Sequence, residues 1–117
     1  MISNFLSAKP ADIPNCHDGE GTIQFVEIFN RFTTPVRHFH YTILPPGTSI
    51  GAHKHGNDEE FYVILEGTGQ MLDEGEIKPV QAGDVIMNPP HGEHGLTNTS
   101  ATEPLKILVF EVANNTD

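Results

Sequence analysis

The chain is poor in cysteine, in basic residues and in long apolar runs. Cys16 is its only cysteine in 117 residues, so no intrachain disulfide framework holds it together. That usage fits a reducing compartment. Lysine and arginine number 6 against 16 aspartates and glutamates, a net charge of −10 with histidine neutral. Such a surface repels phosphate backbones and argues against a nucleic-acid partner. It also leaves few cations for a strongly phosphorylated substrate: Lys9, Arg31, Arg37, Lys54, Lys78 and Lys106. No apolar stretch approaches the ~20 residues that cross a bilayer as a helix. The opening MISNFLSAKP lacks the basic start and the sustained apolar run of a signal peptide. The expectation is a soluble, cytoplasmic protein with no membrane partner. Nor does any segment keep a 3.6-residue apolar period, which excludes long amphipathic helices.

What is present is turn chemistry and short strands. Eleven glycines and nine prolines accompany an apolar fraction of 37%. Short apolar segments at 23–29, 36–44, 50–55, 60–66, 70–72, 77–80, 84–88, 93–97 and 105–112 read as strands. Asp73-Glu74-Gly75-Glu76 reads as a hairpin turn. Residues 1–20 read as loop with at most one short helical turn. The length suits one domain: an N-terminal arm at 1–21, a folded domain at 22–113 and a tail at 114–117. Strands at this spacing predict an all-β, antiparallel sandwich or closed barrel. Phe61–Leu65 and Ile107–Phe110 are apolar on both strand faces, whereas a strand solvated on one side alternates. Their outer face is therefore expected to be covered, by the N-terminal arm or by a second subunit in a homodimer.

Residues 47–67, GTSIGAHKHGNDEEFYVILEG, carry the strongest local signal. His53 and His55 sit one residue apart. On a strand both imidazoles point to one side, about 6.6 Å apart at the backbone, within reach of one metal ion. Glu60 follows after a polar turn, and Lys54 between the histidines should point away. If Glu60 faces the ion, alternation turns Tyr62 and Ile64 to the same cavity and Phe61, Val63 and Leu65 outward. Tyr62 is then the catalytic candidate, with a phenol to offer a bound oxygen. A second stretch, GDVIMNPPHGEHGLTN at 83–98, supplies His94 beside an apolar strand.

Together the two stretches resemble the cupin superfamily, in its small single-domain form. The pattern G-x5-H-x-H-x4-E-x6-G is met without a gap at Gly47, His53, His55, Glu60 and Gly67. The pattern G-x5-P-x-G-x2-H-x3-N is met at Gly83, Pro89, His94 and Asn98, with His91 standing where the family usually has glycine. The resemblance implies a jelly-roll barrel, a double-stranded β-helix, over residues 22–113. It also implies one divalent metal ion, iron, manganese, nickel, cobalt or zinc, held by His53, His55, Glu60 and His94. Three neutral imidazoles and one carboxylate leave a divalent ion at formal charge +1, with open positions for a small molecule and Lewis-acid chemistry.

Neighbouring groups have plainer readings. Glu59 is a solvated carboxylate by its spacing to Gly67, and His91 is a loop or rim residue. His38 and His40 form a second H-x-H pair with no carboxylate at matching spacing, so they read as wall histidines. Arg37, on the opposite face from them, reads as a surface cation rather than an anchor for a substrate carboxylate. Cys16-His17 reads as an exposed loop pair. Three functions follow from the resemblance. The first is a metal-dependent enzyme on a small organic molecule, with dioxygenase- or decarboxylase-like chemistry. The second is a non-catalytic binding protein for a sugar or metabolite, or a sugar isomerase. The third is a storage protein, for which one barrel of this length is the least suited. The fold by itself does not choose among them.

Overall fold

The computed structural model describes residues 1–114; of the expected tail at 114–117, all beyond Asn114 lies outside the described residues. Ten strands follow in order: β1 (Ala11–Pro14), β2 (Thr22–Glu27), β3 (Val36–Leu44), β4 (Ser49–Lys54), β5 (Asp58–Glu66), β6 (Thr68–Asp73), β7 (Glu76–Gln81), β8 (Val85–Asn88), β9 (Glu93–Thr97) and β10 (Leu105–Ala113). A single 3₁₀ turn, Cys16–Asp18, lies between β1 and β2. Six strands form one sheet in the order β1-β2-β3-β10-β5-β8, and four form the other in the order β4-β9-β6-β7. Neighbouring strands are antiparallel throughout. This is the antiparallel all-β jelly roll expected from the sequence. Among the described residues, no helix is long and apolar enough to cross a membrane.

Alternation builds the core. β10 sits between β3 and β5 and sends Leu105, Ile107 and Val109 inward. They meet Leu44 of β3 and Ile64 of β5, and from the second sheet Met71 and Leu96. Leu44, Leu105 and Ile107 are fully buried, and each such side chain contributes about 1.5–3 kcal/mol relative to exposure. Asn98, also buried, ties the β9–β10 loop down by donating to the carbonyls of Leu44 (2.9 Å) and Glu103 (2.8 Å). Glu74 and Gly75 make the two-residue β6–β7 turn with φ of 49° and 85°, the mirror-image turn that suits strand twist.

The expectation of loop for residues 1–20 misses β1. Its four residues pair with β2, Ile13 opposite Ile23. The segment ADIP carries one large apolar residue and a proline, too little to signal a strand. Proline is tolerated here because β1 is a sheet edge.

Two bulges place the functional side chains. On β4, Ile50 pairs with Leu96 and His53 pairs with His94, so β4 spends one residue more than β9 between them. Ile50 and His53 would face opposite sides of a regular strand. The extra residue flips the parity, so the buried Ile50 and the two histidines all face the interior side. On β3, His38 pairs with Glu111 while Val36 pairs with Val112, which leaves Arg37 as the bulged residue.

Candidate metal centre

His53 and His55 arrive from the end of β4, His94 from β9 and Glu60 from β5. Each offers one ligand atom, and these atoms all lie within 4.8 Å of one another. His94 Nε2 stands 3.0 Å from His55 Nε2 and 3.0 Å from Glu60 Oε1. His55 Nε2 is 3.4 Å from the same carboxylate oxygen. Lys54 between the two β4 histidines is exposed, as alternation requires. Glu59 faces away from Glu60 and is not among the clustered groups.

The donor chemistry fits a divalent cation. His53 Nδ1 lies 2.8 Å from the Gly51 carbonyl oxygen, which can only accept, so that nitrogen carries its proton and Nε2 keeps a free lone pair. His55 Nδ1 lies 3.1 Å from Asp58 Oδ1 and 3.0 Å from Glu111 Oε1, which fixes the same tautomer. Two imidazole lone pairs and a carboxylate thus converge on one point, an arrangement that a positive ion satisfies and a protein interior alone does not. Burial, followed by the charges of His94 and His17, lowers the His53 pKa to about 4 against the opposing hydrogen bond to Gly51. Burial pushes Glu60 up, but the hydrogen bond from His94 and the nearby histidine charges outweigh it and hold the carboxyl below its usual range. Both groups are therefore in their ligating forms at neutral pH.

His53, His55 and Glu60 line a cavity of ≈ 430 Å³, and His94 lies buried behind them. Ile13, Ile23, Phe25, Ile50 and Val109 give it an apolar wall, and His38 and His40 stand on another wall as expected. Tyr62 faces the cavity and is 2% exposed, its ring edge-on to His94 at 5.4 Å. Burial, the charge of Glu60 and a hydrogen bond to it push the Tyr62 phenol well above its ordinary range. The Tyr62 phenol is therefore in its protonated form, the form that donates to an oxygen.

Two expectations are corrected. Cys16 and His17 are not a plain exposed loop pair: Cys16 is half-buried, His17 is exposed, and both line the cavity. The His17 ring stacks on His53 at 3.6 Å, with 9° between the planes. The segment can approach because Gly51 has no side chain: a Cβ there would run into the His17 carbonyl oxygen and lie 2.9 Å from Gly19 N. Asn15, His17 and Asp18 all adopt positive φ to make the turn. Burial and the Glu60 charge raise the Cys16 thiol, so it stays protonated. Arg37 is likewise not on the far face. The bulge releases it from alternation, and its Nη1 reaches Asp58 Oδ2 at 3.1 Å on the cavity rim.

His91 takes φ 62°, the left-handed conformation that explains the usual glycine at its position. Its backbone N–H donates to the Gly56 carbonyl at 2.9 Å, and the side chain is exposed, away from the cluster. The loop therefore holds its shape and His94 keeps its aim.

Asp58 and Glu111 escaped the sequence reading. The signals were there: Asp58 precedes Glu60 by two residues on the same strand face, and Glu111 follows Ile107 and Val109 on an otherwise apolar inward face. With His55 they form a second group of metal-capable atoms within 4.8 Å.

A model of the cupin domain matches residues 40–111. The chain is 34% identical over 105 residues to an oxalate-binding protein of Thermotoga maritima, covering 88% of this chain and 87% of that one. It superposes on the crystal structure of a predicted oxalate decarboxylase from Thermotoga maritima with a TM-score of 0.90 at 30% identity, covering 97% and 100% of the two chains. It is 28% identical over 71 residues to a 5-nitrosalicylic acid 1,2-dioxygenase of a Bradyrhizobium species, covering 61% of this chain and 34% of that one.

Proposed function

The chain belongs to the cupin family, and from that premise we propose that it binds a small organic carboxylate of the oxalate class at one divalent metal ion. His53, His55, Glu60 and His94 hold the ion, which supplies a Lewis acid at the cavity floor. The observation that carries the reading is the four-donor cluster, three of whose members, His53, His55 and Glu60, line a ≈ 430 Å³ cavity, a volume typical of small-molecule sites. The likeness to an oxalate-binding protein over most of both chains supports the ligand class. Ile13, Ile23, Phe25, Ile50 and Val109 give the ligand an apolar wall, and Tyr62 stands beside Glu60 on the same face of β5.

Binding is the reading favoured by the likeness to an oxalate-binding protein over most of both chains. Turnover by decarboxylation or dioxygenation is the second reading. The 71-residue likeness to a dioxygenase favours it, as does a cavity with room for more than oxalate. Metal-loaded protein is expected to melt at a higher temperature with oxalate than without, and metal-stripped protein is not. Product analysis with oxalate, hydroxybenzoates and keto acids separates the readings: metal-dependent product establishes an enzyme, and stabilisation without product a binding protein. No metal-dependent stabilisation and no product across the series would reject both.

A homodimer is proposed on the outer face of the six-stranded sheet. Register aligns Met87, Phe61, Phe110 and Phe39 in one row across β8, β5, β10 and β3, and Val85, Val63, Leu108 and Tyr41 in the next. Phe5 of the N-terminal arm packs on Tyr41 at 4.5 Å, but Val85 and Met87 are 63% and 57% exposed. An apolar surface of this extent favours a partner, and like faces on two copies close a two-fold dimer. Light scattering on size-exclusion peaks is expected to give twice the chain mass, and Phe61→Glu the single mass; a monomer at all concentrations would contradict it. The single cysteine supports a reducing, cytoplasmic setting.

A further inference from the structure

The three candidate histidine ligands have unequal surroundings on the side away from the cluster. His53 Nδ1 meets one neutral acceptor, the Gly51 carbonyl at 2.8 Å. His94 Nδ1, fully buried, has no hydrogen-bond partner. His55 Nδ1 meets two carboxylates, Asp58 Oδ1 at 3.1 Å and Glu111 Oε1 at 3.0 Å. Both carboxylates are 6% exposed. Buried carboxylates are costly unless paired, and each sends its second oxygen to a cationic or proton-bearing group on the rim. Asp58 Oδ2 reaches Arg37 Nη1 at 3.1 Å, and Glu111 Oε2 reaches His38 Nε2 at 3.1 Å.

We infer that Asp58 and Glu111 are positioning residues that clamp His55 in the Nδ1–H form, so that Nε2 is the nitrogen presented to the cluster. The clamp is assembled from three strands. Asp58 opens β5, Glu111 lies near the end of β10, Arg37 is the bulged residue of β3 and His38 follows it. The bulge is what lets adjacent residues of one strand both serve the clamp. A regular strand would turn one of them away. A carboxylate behind a ligating imidazole fixes its orientation and raises its basicity. Two such carboxylates make His55 the most electron-rich of the three candidate donors.

The histidine tautomers can be read in the metal-free protein, so the inference stands apart from the metal reading on which only its second arm rests. Two-bond ¹H–¹⁵N correlation spectra at neutral pH, assigned by comparison with His55→Gln, are expected to show the proton on His55 Nδ1. Asp58→Ala with Glu111→Ala is expected to shift His55 largely to Nε2–H while leaving His53, held by Gly51, unchanged. In the second arm, chelator competition with Co(II) is expected to show affinity reduced by about 10–100-fold in each single variant, with Glu111→Asp recovering part of the loss. Should the double variant not fold, Asp58→Ala and Glu111→Ala singly are each expected to move part of the His55 population to Nε2–H. A His55 that keeps the same tautomer without the carboxylates, or that is Nε2–H in the unaltered protein, would overturn the inference. Reduced affinity in His53→Ala but not in the Asp58 or Glu111 variants would keep the metal reading and reject the clamp.

Discussion

Replacing His53 by alanine is expected to lower divalent-metal affinity by more than ~100-fold, since removing only a supporting partner of a ligand already costs 10–100-fold. The loss is expected with little damage to the fold. The His53 ring is only partly buried and packs on His17 and the other cluster rings rather than in the main core. His94→Ala is a poorer probe, because that ring is 1% exposed and its removal leaves a cavity. Metal analysis after dialysis against Mn(II), together with chelator competition, reads the effect, and thermal unfolding of the stripped protein checks the fold. Unchanged affinity in a folded His53→Ala protein would remove His53 from the ligand set.

Gly51→Ala is expected to be the most damaging single-methyl change near the site. The added Cβ would meet the backbone carbonyl oxygen of His17, and it would stand 2.9 Å from Gly19 N. Neither is the yielding end of a side chain, so the Cys16–Asp18 turn must move off β4. Overpacking of this kind costs about 1–3 kcal/mol. The displacement also removes the His17 ring from His53 and shifts the carbonyl that accepts from His53 Nδ1. Lower thermal stability and weaker metal binding should therefore appear together. A stable variant with unaltered metal affinity would show that the turn does not support His53. Ala52→Gly in the same bulge meets no such contact and serves as the comparison.

Legibility in the sequence followed strand alternation and failed where alternation is broken. Glu60, Tyr62 and Ile64 share one face of a regular stretch of β5, and their common direction could be derived from period two alone. The β4 histidines also share a face, but the bulge that aligns them with Ile50 and opposite His94 leaves no mark beyond Gly51. Arg37 was placed on the wrong side for the same reason: its bulge is a property of the pairing with β10, not of β3 itself. Cys16 and His17 join the cavity through a turn of three non-glycine residues with positive φ. Local sequence favours no such turn; packing against two glycines holds it. Asp58 and Glu111 were within reach, since extending the inward face by two residues on β5 and reading the last inward position on β10 would have exposed both.

The site also explains how a strongly acidic chain can take an anion. Three carboxylates line the cavity, Asp58, Glu60 and Glu111. Asp58 and Glu111 are each engaged by a rim partner and by His55. Glu60 alone remains for the proposed ion, and a divalent ion held there by one carboxylate and neutral imidazoles would form a net +1 centre able to take a carboxylate.

Calorimetric titration of oxalate into Mn(II)-loaded and metal-stripped protein tests the central claim most directly. The account predicts one oxalate per chain in the loaded protein, no measurable binding in the stripped protein, and none in His53→Ala under the same conditions. Equal binding with and without the metal would contradict it, because the anion would then be held by the rim cations and not at the four-residue centre.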